Sequence, residues 1–301
     1  MSMERWRWRW LHDAAADKPR GILGLFSTAE SEEKREAARL PSSVRLILLG
    51  IELVLSFASG LLFVWCGSIA RTLSRALLNV VWRDSVLPVI VSEVIYTCVF
   101  VAGVATFMAK LFHQDRLVLL RRLGCLQLPN VSLIITSIAL HSILLAIVSQ
   151  GDRTDRSSSD DALVSLRSLI LAPIEEEFFF RNLVLHLALH RLDCDVWRSA
   201  CVSSSAFALL HLANARRLDH GVTAQQLLLQ IAWAWVVGVF LALRYANAGS
   251  LLECVLLHVV NNVAAASLHG LEDTLHVTVV MIAVYSAGVF HMRRQAKAIH
   301  S

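Results

Sequence analysis

Apolar runs of roughly 18–25 residues, separated by short polar stretches, dominate this chain, and that is the length a helix needs to cross about 30 Å of hydrocarbon. A segment in lipid must satisfy its own backbone N–H and C=O groups, so each run reads as a membrane helix. The spacing predicts spans at about 44–66, 87–112, 130–148, 162–190, 196–213, 224–246, 250–268 and 274–290. The fold class expected is all-α, a polytopic transmembrane bundle of about eight spans. Composition agrees. Hydrophobic residues make up 56% of the chain and charged residues 17%, against about 45–50% and about 25% in soluble domains. The net charge of +4 gathers at helix flanks, so nucleic acid is not an expected partner and the bilayer is. The six cysteines form no CxxC pair and lie mostly inside apolar runs, where they read as packing residues.

Two parts are expected. Residues 1–43 form a polar N-terminal tail, and residues 44–301 form the membrane domain. The tail opens on Arg5-Trp6-Arg7-Trp8-Arg9-Trp10, a composition suited to a headgroup boundary and without the apolar core of a signal peptide. Ser27-Thr28-Ala29-Glu30 has the form of a capping box opening a short amphipathic helix before Pro41. Residues 67–86, with Arg71, Arg75 and Arg83 on the polar side, read as an amphipathic connector between the first two spans.

The fourth span holds what an apolar run should not. Ala172-Pro173-Ile174-Glu175-Glu176-Glu177-Phe178-Phe179-Phe180-Arg181-Asn182 places three carboxylates and a guanidinium in the membrane. Each charge at a helix centre costs roughly 2.5–3.5 kcal/mol on insertion scales, so a polar interior with a functional role is the default reading. Glu177 and Arg181, four residues apart, share a face and can pair. Glu176 lies about 100° away on the helical wheel and is left uncovered. Glu175 is turned further round and is expected to be neutral or to reach water. Pro173 lacks an N–H and is expected to loosen or kink the helix beside the acids.

Two later spans carry polar pairs at one-turn spacing, Phe207 with His211 and His258 with Asn262. Each alone is commonly an interhelical hydrogen-bonding group. Together with the acids they supply what peptide hydrolysis by water needs: a base, a group to orient the water, and oxyanion donors. The one-turn stack of His258 and Asn262 lets both donate to one point.

The ordered motifs EExxxR, FxxxH and HxxxN, each on its own span, resemble those of the CPBP family of intramembrane proteases, which includes the Rce1-type CAAX prenyl endopeptidases. Ala172-Pro173-Ile174 is similar to the family's lead-in. Gly238, Arg244 and Ala248-Gly249-Ser250-Leu251 look more like its prenyl-protease branch. The resemblance covers about residues 160–265. Asn182 stands where many relatives carry glycine, and Asn214 where eukaryotic prenyl proteases often continue with histidine.

The resemblance implies that Glu176 is the base, His211 orients the water, and His258 and Asn262 are oxyanion donors. Glu177, Arg181 and Phe207 would support them. It implies a substrate ending in a prenylated CAAX sequence, cut after the prenylcysteine to release a tripeptide. The compartment would be the endoplasmic reticulum membrane in a eukaryote and the plasma membrane in a prokaryote. No cofactor is expected. Glu176, His211 and His258 are also a possible zinc ligand set, the alternative. The rival functions are proteolysis of unprenylated peptides in processing or immunity, and a catalytically silent membrane scaffold. A transporter would call for inverted repeats, and the sequence shows none.

Overall fold

The computed structural model describes residues 41–82, 85–112, 119–120, 123–125, 127–148, 166–192, 195–213, 223–268 and 274–300. The expected tail helix after Ser27 lies outside them. The described residues form eight helices: α1 Ser42–Val81, α2 Leu87–Leu111, α3 Val131–Val148, a composite α4, α5 Val196–Leu210, α6 Ala224–Ala248, α7 Leu251–Leu268 and α8 Thr274–His300. The α4 rod runs without a break through a π stretch at Arg167–Leu171, an α segment at Ala172–Glu177, a second π stretch at Phe178–Val184 and an α segment at Leu185–Arg191. By length and composition α1, α2 and α6 can each cross a membrane. Shorter apolar helices occupy Val131–Ile143 and Leu251–Ala266.

One expectation is corrected. The first span and the connector after it are a single 40-residue helix. Arg71 does not mark the end of the span, because its guanidinium meets Glu93 of α2 at 3.2 Å and the helix continues through the pair. Gly60 and Gly67 let α1 lie close against its neighbours. A Cβ at Gly60 would meet the Phe179 ring at 2.9 Å, and one at Gly67 the Tyr96 ring at 2.8 Å.

The axis of the bundle is α4, where every residue from Glu177 to Leu189 is buried. A helix covered all round belongs at the centre of its fold. Phe179 and Phe180 pack edge-on against Phe57 of α1 and Phe207 of α5. Pro173 produces no break. Its missing N–H falls just after the first π stretch, where Ala172 N–H bonds the Arg167 carbonyl, so the irregularity is a widened turn.

A second fixed point is the corner between α6 and α7. Thr223 and Gln226 form a capping box at the start of α6. Gly249 ends it in the left-handed region (φ 69°), with its N–H on the Tyr245 carbonyl. Residues 123–125 and 127–130 dock on this corner. Gln127 donates to the Ala248 carbonyl at 2.8 Å, Ser250 to the Gln127 carbonyl at 2.9 Å, and the Asn130 N–H to Glu253 at 2.7 Å. Arg244 holds the same Glu253 in an ion pair.

Candidate active site

The three motif helices bring their polar residues together around one aromatic ring. Phe207 of α5 lies with its centroid 5.1 Å from that of His211, 5.7 Å from that of His258 and 5.3 Å from that of Phe180. The Arg181 guanidinium stands over the same ring at 5.3 Å. Phe207 is therefore the hub against which both histidines and the arginine are set.

Glu177 and Arg181 are fully buried and form the expected pair, Nε to Oε2 at 3.0 Å. The contact is chiefly Coulombic, since none of the three Arg181 nitrogens makes an aligned hydrogen bond among the described residues. The other oxygen of Glu177, Oε1, lies 2.8 Å from His258 Nδ1. A carboxylate paired with arginine can only accept there, so His258 carries its proton on Nδ1 and donates it to Glu177. His258 Nε2 then faces Glu176 Oε2 at 3.5 Å, the outer limit of hydrogen bonding. The neighbouring glutamates thus differ in kind. Glu177 has both oxygens engaged, whereas the Glu176 side chain is 35% exposed and, among the described residues, held by no arginine ion pair.

His211 sits just past the end of α5, half-buried, and its Nδ1–H donates to the Phe207 carbonyl at 3.2 Å. That bond fixes the tautomer and leaves Nε2 as an acceptor. Asn262 lies one turn beyond His258 on α7, as the spacing requires, and its Nδ2 donates to the Ser168 carbonyl at 3.3 Å. Asn262 therefore ties α7 to the first turn of α4.

Glu175 departs from expectation. It is neither bare nor open to water. Arg167 holds it with two hydrogen bonds, Nη2 to Oε2 at 2.8 Å and Nη1 to Oε1, and Thr97 of α2 donates to Oε1 at 2.5 Å. Eight residues apart, Arg167 and Glu175 lie roughly 80° from one another on a regular wheel; the π stretch between them widens the turn and lets them meet. The same Arg167 stacks on Tyr96 at 4.6 Å, and Arg71 on that ring at 5.3 Å. This second polar cluster was overlooked in the sequence. Its signal was Glu93, a lone acid inside an apolar span.

Asn182 is wholly buried and structural. It accepts from Tyr245 Oη at 2.5 Å and donates to Cys125 Sγ at 3.7 Å. Burial pushes the Cys125 thiol up to about 11, so it is no thiolate nucleophile. Among the described residues, no group of three or more His, Cys, Asp and Glu side chains is placed to hold a metal ion.

Residues 158–264 match the family model described as type II CAAX prenyl endopeptidase Rce1-like. This stretch is therefore similar to that family. It contains all three motifs and ends two residues past Asn262, close to the 160–265 read from the sequence. An Escherichia coli protein described as an uncharacterized 24.3 kDa protein is 32% identical over 104 residues, 35% of this chain and 43% of the relative. The chain therefore spans less than half the length of that relative. No solved structure matches the chain.

Proposed function

We propose that the protein is an intramembrane endopeptidase that removes the C-terminal tripeptide from prenylated CAAX substrates, with Glu176 as the base. The supporting observation is the contrast between the two adjacent glutamates: Glu177 is closed on both oxygens, and Glu176 is open. A water at Glu176 gives one hydrogen to that carboxylate and points the other at His211 Nε2. Its oxygen attacks the carbonyl of the prenylated cysteine, forming the tetrahedral oxyanion. His258, held through Nδ1 by Glu177, turns its Nε2 edge to the oxyanion as one donor. Asn262 supplies the second donor by turning one amide hydrogen from the Ser168 carbonyl. Glu176 then passes its proton to the leaving nitrogen, the C–N bond breaks, and a tripeptide with a free amine departs.

Glu177, Arg181 and Phe207 position these groups. The Arg181–Glu177 pair orients His258, and Phe207 holds both histidine rings in place. A prenyl chain accounts for the membrane setting, because about 0.8 kcal/mol per buried CH₂ concentrates the substrate in the bilayer. The test is purified protein assayed on matched farnesylated and unprenylated peptides. Cleavage after the cysteine of the farnesylated peptide alone is expected. Equal cleavage of both would assign the protein to unprenylated substrates, and cleavage of neither would refute the protease reading.

A further inference from the structure

The cluster of Arg71, Glu93, Tyr96, Arg167 and Glu175 is not used by the proposed chemistry. Its two guanidinium groups come from different helices and share one tyrosine ring, Arg167 at 4.6 Å and Arg71 at 5.3 Å. Bringing two cations together is unfavourable unless anions surround them. Glu93 meets Arg71 at 3.2 Å and Arg167 at 3.8 Å, and Glu175 holds Arg167. Arg75 is exposed one turn further along α1. Among the described residues, the cluster itself sets two cations, Arg71 and Arg167, against the carboxylates of Glu93 and Glu175.

The arginines are also accessible and incompletely used. Their side chains are 38% and 31% exposed for Arg71 and Arg167. Arg71 has five N–H donors and, among the described residues, spends one on Glu93. The cluster sits beside the candidate catalytic residues. Glu175 is the chain neighbour of Glu176, and Ser168, next to Arg167, accepts from Asn262.

We infer that Arg71 and Arg167 bind the α-carboxylate at the C-terminus of the substrate and so measure where the chain is cut. This rests on the protease reading above. An extended tripeptide spans at most about 10 Å, and Glu175, which Arg167 holds, is the chain neighbour of Glu176. A carboxylate seated there places the bond three residues from the C-terminus at Glu176. Glu93 and Glu175 hold the guanidinium groups in position, and the planar fork of arginine suits a carboxylate.

The experiment uses the purified full chain on two farnesylated peptides of one sequence, ending either in a free acid or in a carboxamide. The wild type should cleave the acid at least tenfold better in kcat/KM, with the difference carried by KM. Arg71→Gln should raise KM for the acid about tenfold and bring the acid-to-amide ratio near one, and Arg71→Lys should restore part of it. Equal cleavage of both peptides by the wild type overturns the carboxylate site and leaves the protease reading standing. Cleavage of neither overturns both. The wild-type comparison needs no variant, so a poorly folded Arg71→Gln would not weaken it.

Discussion

Removing Arg181 should unseat the site through Glu177. Both side chains are fully buried and 3.0 Å apart, so neither solvent nor salt screens the pair. Arg181→Ala leaves the Glu177 carboxylate with His258 as its remaining partner and takes away the cation over the Phe207 ring. Breaking one side of a buried pair costs about 3–5 kcal/mol. Because the pair lacks aligned hydrogen bonds and Glu177 keeps His258, the lower part of that range is expected. Glu177→Ala should cost a similar amount by stranding the guanidinium. The double variant should be less damaged than the two singles summed, with a coupling of roughly 1.5–3 kcal/mol. Reversible unfolding in mixed detergent micelles measures the stabilities, and peptide cleavage measures the activities in parallel. Strict additivity in stability would show that the two residues do not interact, and the account of how His258 is positioned would fall with it.

Gly124→Ala should prevent correct assembly, since its Cβ would lie 1.5 Å from the Gly249 carbonyl oxygen and Gly124 has φ 63°; a well-folded variant by gel filtration and thermal melting would refute the docking of this segment on the α6–α7 corner. Tyr245→Phe should cost about 1–3 kcal/mol, because its buried hydroxyl contacts both the Leu123 carbonyl and Asn182, while turnover per folded molecule is kept; unchanged stability would contradict this. Chelation should leave cleavage intact and elemental analysis should find no stoichiometric zinc; zinc and activity lost together and restored together would overturn the metal-free chemistry.

The helices were legible because hydrocarbon demands long apolar runs, and all eight spans read from the sequence have a helix at their place. The Glu177–Arg181 pair was legible for a similarly local reason, a four-residue spacing on one helix. What escaped depended on contacts between elements. Residues 67–86 read as an amphipathic connector because of their arginines, yet Arg71 is matched by Glu93 across two helices, which no local pattern encodes. Glu175 was left without a partner because regular geometry turns Arg167 away from it, and the π stretch that reunites them has no sequence signature. The engagement of His258 by both glutamates also lay beyond helical spacing, which placed His258 and Asn262 on one face but could not say what they face.

The most direct test of the central claim is the turnover of Glu176→Gln on a farnesylated CAAX peptide, measured on purified protein whose melting matches the wild type. The substitution keeps size and polarity and removes the capacity to take a proton. The account predicts a loss of about 10²–10⁴ in kcat, the usual contribution of a positioned base. Turnover within a few-fold of the wild type would contradict it.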